Sequence, residues 1–219
     1  MNSAVERRER ILERIKRAAT LARRDPAEVQ LIAVSKGRSA EEIGPLIEAG
    51  QRDFGENRVQ EALAKWPDLL ARHHDVRLHC IGRLQSNKAA EAVTLFDVIH
   101  AVDRGSLLES LVKEATKAGR VPSVYVQVNI GEEQQKGGCA IDELGDLVAA
   151  ARASLLPLAG LMAIPPFGLE PAPYFALLAK LARRHEVTGL SIGMSGDFEA
   201  AVMLGATAVR IGTAMFEDE

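Results

Sequence analysis

The sequence has only two cysteines in 219 residues, Cys80 and Cys139, and no C-x-x-C pair. Nothing in it therefore supports a disulfide framework or a zinc knuckle, and both are expected to be reduced thiols. It has no apolar stretch near the roughly 20 residues that span a bilayer. Its opening segment MNSAVERRERILERIKRAAT reads as a charged helix rather than a signal peptide, so a cytoplasmic protein is expected. It carries little net charge, −3, and so has no general attraction to nucleic acid or anionic membrane; a small-molecule ligand is favoured. It lacks a Pro-, Gly- or Ser-rich linker and any low-complexity run, which predicts one domain over residues 1–219. No G-x-G-x-x-G follows the first strand candidate, so the dinucleotide-binding signature of an open doubly wound sheet is missing.

What is there is a 47% hydrophobic chain, enough for a sizeable core, with a regular beat. Val5, Ile11, Leu12, Ile15, Ala18, Ala19 and Ala22 fall close to one helical face over residues 5–24. The interspersed Glu6, Glu9 and Glu13 make the opposite face an ordinary solvated one rather than a membrane-binding one. Short apolar runs then alternate with helical stretches. The strand candidates are Leu31–Ser35, Arg52–Gly55, Leu78–Gly82, Val98–Val102, Val124–Asn129, Leu158–Ile164, Gly189–Met194 and Ala208–Gly212. Helices are predicted near 39–50, 57–71, 87–94, 105–118, 141–153, 171–185 and 197–204, with only a vestigial one after the eighth strand. Eight strands separated by helices predict an α/β fold, a (β/α)8 TIM-type barrel with an extra N-terminal helix.

In such a barrel the residues that follow each strand share one mouth. Here they are Lys36, Glu56-Asn57, Gly82-Arg83, Asp103-Arg104, Asn129, Pro165, Met194-Ser195 and Gly212-Thr213. The last two loops carry backbone amides and the hydroxyls of Ser195 and Thr213, a combination suited to a phosphate dianion. Ser195 could equally cap the following helix, and Gly212 could simply end a strand. Arg210 lies within the eighth strand, where a buried cation needs an acceptor: a salt bridge inside the barrel, or the ring nitrogen of an aromatic cofactor.

Of eight lysines, Lys36 alone directly ends a strongly apolar strand. Lys88 opens a helix, Lys136 sits in a glycine-bounded loop, and Lys16, Lys65, Lys113, Lys117 and Lys180 are expected on solvated helix faces. An amine able to form a Schiff base, set beside a phosphate cup, suits a phosphorylated aldehyde such as pyridoxal phosphate, and also an aldolase acting on a sugar phosphate. Ser35 and Lys36 are not expected to act as a Ser-Lys pair, because strand neighbours face opposite ways. His73, His74, His79 and Cys80 look like a metal cluster, but three of them flank or lie on one strand, so no metal site is expected.

The motifs AVSK at 33–36, FGENRVQE at 54–61, HCIGRLQSNK at 79–88, VDR at 102–104, VQVNI at 126–130, GLMAIPP at 160–166, LSIGMSGDFEAA at 190–201 and VRIGTAMF at 209–216 together carry a resemblance. From about residue 5 to 217 the chain resembles the pyridoxal phosphate homeostasis proteins, which are similar to the barrel domain of bacterial alanine racemase without its second domain. Gly37-Arg38-Ser39 and Lys136-Gly137-Gly138-Cys139 depart mildly from the family pattern. The resemblance implies pyridoxal 5'-phosphate held as an aldimine on Lys36, with its phosphate on Ser195, Gly212 and Thr213, Arg210 at the pyridine nitrogen, and Asn57 and Met194 lining the pocket. An arginine at that nitrogen weakens the ring as an electron sink. The racemase's second acid-base group is also missing, and neither Tyr125 nor Tyr174, the only tyrosines, is an evident substitute. The expected role is a monomeric, non-catalytic carrier in vitamin B6 homeostasis that stores the cofactor or passes it to apo-enzymes. The alternative is an amino-acid racemase using the same cofactor.

Overall fold

The computed structural model describes residues 3–217. Eight strands, β1 (Gln30–Val34), β2 (Asp53–Glu56), β3 (Arg77–Cys80), β4 (Val98–Val102), β5 (Ser123–Val128), β6 (Leu158–Ala163), β7 (Gly189–Ser191) and β8 (Ala208–Ile211), pair in sequence order and close through β1 and β8. Every pairing is parallel, with Ile32 beside Arg210 and Gly55 beside His79. The helices are α1 (Ala4–Leu21), α2 (Ala40–Glu48), α3 (Val59–Arg72), α4 (Ala89–Leu95), α5 (Gly105–Ala118), α6 (Leu144–Ala153), α7 (Ala172–Arg184), α8 (Phe198–Met203) and the single turn α9 (Thr213–Phe216). The fold is therefore the (β/α)8 barrel with an additional N-terminal helix that the alternation predicts.

Local chemistry fixes the starts of the first two helices. Ser3 with Glu6, and Ser39 with Glu42, form reciprocal capping boxes that satisfy two otherwise orphaned amides at each start. Because α9 is one turn long, it cannot cover the seam between β8 and β1. The amphipathic α1 does so, packing on α2, α8 and α9.

Most predicted boundaries move by one to three residues, and two of the shifts shape the loops that follow. β7 stops at Ser191 rather than Met194, because Gly193 at φ +92° turns the chain out of the sheet. The helix predicted from 87 begins as a 3-10 turn at Ser86–Lys88 before α4.

The main core lies between sheet and helices, with Trp66 fully buried at 5.1 Å from the Phe54 ring. Each large apolar side chain buried this way contributes about 1.5–3 kcal/mol. Inside the barrel a smaller cluster forms from Val98, Tyr125 and Met162. Gly160 makes room for it: a Cβ there would lie 2.3 Å from the Gly189 carbonyl oxygen and 2.5 Å from the Tyr125 ring. Gly160→Ala is expected to destabilise the protein by about 3 kcal/mol, the upper end for overpacking, because a backbone carbonyl cannot give way as a side chain can. A shift in urea midpoint at unchanged m-value is the measurement.

Cys80 and Cys139 are both buried free thiols, and burial pushes each up to about 12. No helix among the described residues is long and apolar enough to cross a membrane.

Candidate functional site

The strand ends open into a cavity of about 630 Å³. β1 ends at Val34, and Ser35 turns its hydroxyl outward to donate to Glu56 Oε1 at 2.6 Å. Strand alternation then sends the next side chain, Lys36, to the cavity wall.

The turn carrying Lys36 is held from behind. Lys65 Nζ donates to the carbonyls of Ser35 (2.7 Å) and Arg38 (3.0 Å), and the Gly37 amide donates to Glu61. The same ammonium pairs with Glu56 at 2.9 Å and Glu61 at 3.1 Å. Lys65 was expected on a solvated helix face, and the structure corrects this: its side chain is only 11% exposed. Glu56 was expected at the mouth and is instead fully buried between β2 and α3, accepting also from Trp66 Nε1 at 2.9 Å. Gly55 takes the inward position on β2, so Glu56 must face outward.

Asn57, Gly82, Arg83, Met194, Ser195, Gly212 and Thr213 all line the cavity with Lys36, and Arg210 forms part of its wall. The loops after β2 and β3 touch so closely that a Cβ on Gly82 would lie 2.2 Å from the Asn57 carbonyl oxygen. Besides Glu56, four predicted mouth residues do not line this cavity. Asp103 and Arg104 border an adjoining polar cleft with Arg83 and Ser86. Asn129 spends its side chain on the Glu133 backbone, donating to the carbonyl at 2.9 Å and accepting from the amide at 3.2 Å. Pro165 is buried, its carbonyl accepting from Lys136 Nζ at 2.9 Å.

Among the contributors to the wall that were not anticipated are the polar side chains of Gln127, Gln135 and Lys136. Gln127 had a signal, an amide at an inward position of the apolar strand VYVQV. Lys136 had none. The segment after β5 folds back onto it, with the Asn129 amide donating to Cys139 O and the Cys139 amide to Gln127 O, which carries Lys136 over the cavity.

The loops after β7 and β8 form a donor-rich cup. Asp197 accepts from the Met194 amide at 2.6 Å and shapes the first loop. The residue at the start of α8 is Asp197 rather than Ser195, so the Ser195 hydroxyl is not used as a helix cap. Among the described residues, the amides of Ser195, Gly196, Gly212 and Thr213 donate to no protein acceptor. A Cβ on Gly196 would meet nothing within 4 Å and one on Gly212 only Val34 at 3.7 Å, so the space above the cup is open.

Arg210 has no carboxylate within salt-bridge distance among the described residues, which tells against the salt-bridge alternative. It is 4% exposed; Nη1 donates to Ser191 O and Oγ, both at 2.6 Å, and Nη2 to Ala163 O at 3.1 Å. Burial pulls its guanidinium down to about 10, still charged at neutral pH. Lys36, Arg83, Lys136 and Arg210 thus face one cavity that no Asp or Glu among the described residues lines. Such a site attracts an anion. His73 and His74 lie outside the barrel's buried interior, His79 within it, and no group of three or more His, Cys, Asp or Glu among the described residues is placed to hold a metal.

Neither tyrosine lines the cavity. Tyr125 is buried in the barrel, stacked on His100 at 4.4 Å, and Tyr174 packs on the outer core.

Residues 7–219 match the family model described as alanine racemase, N-terminal domain. The pyridoxal phosphate homeostasis protein of Pseudomonas aeruginosa is 42% identical over 225 residues, covering 99% of this chain and 96% of that one. The structure of PipY from Synechococcus elongatus PCC7942 with PLP bound is 41% identical, with a TM-score of 0.79, covering 93% of this chain and 99% of PipY. Alanine racemase of Clostridium difficile 630 shares the fold, with a TM-score of 0.70 at 14% identity over 95% of this chain and 56% of the racemase. With a family match over nearly its whole length and full-length relatives at this identity, the chain belongs to the pyridoxal phosphate homeostasis proteins of the alanine racemase N-terminal domain family.

Proposed function

We propose that this protein binds pyridoxal 5'-phosphate in the barrel-mouth cavity and carries it in vitamin B6 homeostasis, with apo PLP enzymes as recipients. The observation that carries the reading is the placement of the Lys36 amine and of the Ser195, Gly196, Gly212 and Thr213 donors, which have no backbone acceptor among the described residues, around one cavity that no described acid lines. The donor set fits the group: hydroxyls and amides for a phosphate dianion, an amine for an aldehyde, and a buried guanidinium for a ring nitrogen.

When bound, the group supplies an aldehyde carbon that reacts with primary amines and a pyridine ring that withdraws electrons. Lys36 is the residue that would hold that carbon, its loop fixed by Lys65 and Glu61. Ser195 and Thr213 would anchor the phosphate, Asn57 and Met194 would border the ring, and Arg210 would face the ring nitrogen. A guanidinium there disfavours protonation of the ring and so weakens its pull on electrons. Together with the absence of a tyrosine from the cavity wall, this supports a carrier rather than a racemase.

The double variant Ser195→Ala/Thr213→Ala tests the phosphate cup. It is expected to weaken PLP binding by about two to four orders of magnitude, the loss of two hydrogen bonds to a charged group, while binding of pyridoxal, which lacks the phosphate, stays as in the parent. Equal losses for both ligands would refute the cup. Deuterium exchange at Cα of single-enantiomer amino acids separates the two roles: sustained exchange that needs Lys36 would favour the racemase.

A further inference from the structure

Behind Arg210 runs a line of buried polar side chains that the binding reading does not use. Asp53 begins β2 at the end of the barrel away from the cavity, and its side chain is 20% exposed. Its Oδ1 accepts from Gln30 Nε2 at 2.7 Å and lies 3.0 Å from His79 Nε2. His79 Nδ1 lies 3.0 Å from His100 Nε2, His100 Nδ1 lies 2.9 Å from Ser191 Oγ, and Ser191 Oγ meets Arg210 Nη1 at 2.6 Å. His79, His100 and Ser191 are all at most 1% exposed. Five side chains on β2, β3, β4, β7 and β8 thus span the barrel interior without a gap.

The sense of every bond in this line follows from its ends. Arginine only donates, so Ser191 Oγ accepts from Arg210. A hydroxyl can accept twice, and it is the ionised Asp53 carboxylate at the other end, able only to accept, that turns the Ser191 proton to His100 Nδ1. His100 must then carry its proton on Nε2 and donate to His79 Nδ1. His79 likewise carries its proton on Nε2 and donates to the Asp53 carboxylate. Both rings must be neutral for this, and burial pushes both imidazoles down, His100 well below the usual histidine range.

We propose that Asp53, His79, His100 and Ser191 form a one-way hydrogen-bond relay that positions Arg210 and sets the protonation of the ring nitrogen it faces. This rests on the reading of the cavity as a pyridoxal phosphate site. His79, His100 and Ser191 are positioning residues: none lines the cavity, and each acts through its neighbour. Reversing the His79 tautomer sets its Nδ1–H against the Nε2–H of His100, two donors face to face, so a disturbance at His79 is passed along to Arg210.

The first test needs neither ligand nor variant. Long-range 15N–1H correlation of the imidazoles in the parent protein at neutral pH is expected to show His79 and His100 both neutral with the proton on Nε2. A charged ring or an Nδ1 proton in either would overturn the relay. The second test uses PLP labelled with 15N in its ring. Ser191→Ala should shift the ring-nitrogen resonance and weaken PLP binding about two- to tenfold, the scale of one hydrogen bond, and Ser191→Thr should restore both. His79→Gln should move the same resonance although it lies three residues back from the arginine in the relay. A ring-nitrogen signal unchanged in His79→Gln, or in Ser191→Ala, would reduce the line to inert packing. A parent protein that bound no PLP would sink the cofactor reading and the assignment of Arg210 to a ring nitrogen, while the tautomer measurement would still decide the relay itself.

Discussion

Lys36→Ala is expected to lose retention of pyridoxal phosphate. The loaded parent protein should keep the cofactor and its visible absorption through gel filtration, and borohydride should fix it to the Lys36 peptide. The variant should retain the phosphate cup but bind about a hundredfold more weakly, close to 3 kcal/mol at equilibrium, with no borohydride-stable adduct. Lys180→Ala, on the exposed face of α7, is the control and should behave as the parent does. An adduct that persists in Lys36→Ala and maps to another lysine would move the attachment point and refute the assignment.

The largest effect on stability is expected at Lys65 rather than in the apolar core. Glu56 is fully out of water, its Oε1 shared by Ser35, Trp66 and Lys65, and its Oε2 has no partner among the described residues. Lys65→Met removes the only cation paired with this carboxylate among the described residues and leaves a buried charge uncompensated, a change that costs about 3–5 kcal/mol. The double variant Glu56→Gln/Lys65→Met removes the charge with its partner and should recover most of that loss. Urea denaturation of the four proteins gives the cycle. A loss under about 1 kcal/mol in Lys65→Met, typical of an exposed ion pair, would show that the pair is solvated. The same substitution also frees the carbonyls of Ser35 and Arg38, so it should loosen the Lys36 turn and weaken ligand binding even in protein that remains folded.

The barrel was legible in the sequence because its eight apolar runs alternate with helices at a steady interval, and the first two helices carry their own start signals at Ser3 and Ser39. Lys36, Ser195 and Thr213 were legible for a related reason. A residue directly after a barrel strand faces the mouth whatever its identity, so chemistry can be read off position. The reading failed where position did not determine facing. Glu56 still belongs to β2, and one step of strand alternation turns it away from the cavity. Lys65 and Lys136 owe their places to contacts formed only once the chain has folded, the first across α3 onto the β1 turn, the second by a loop returning to β5. His79 was weighed as a metal ligand because its neighbours in sequence were considered; its working neighbours are on β2 and β4.

The helix that closes the seam has a consequence for how the barrel is made. Arg7 on α1 donates to the Met215 carbonyl 208 positions away, and Arg24, just beyond α1, donates to the carbonyls of Val202 and Ala206. Contacts spanning almost the whole chain carry the greatest loop-closure cost, so they form late in folding. Until they form, β1 and β8 are two open sheet edges, the kind of surface on which one chain adds to another. α1 is therefore the element that ends the interval in which this barrel can pair with a second copy of itself rather than with its own far end.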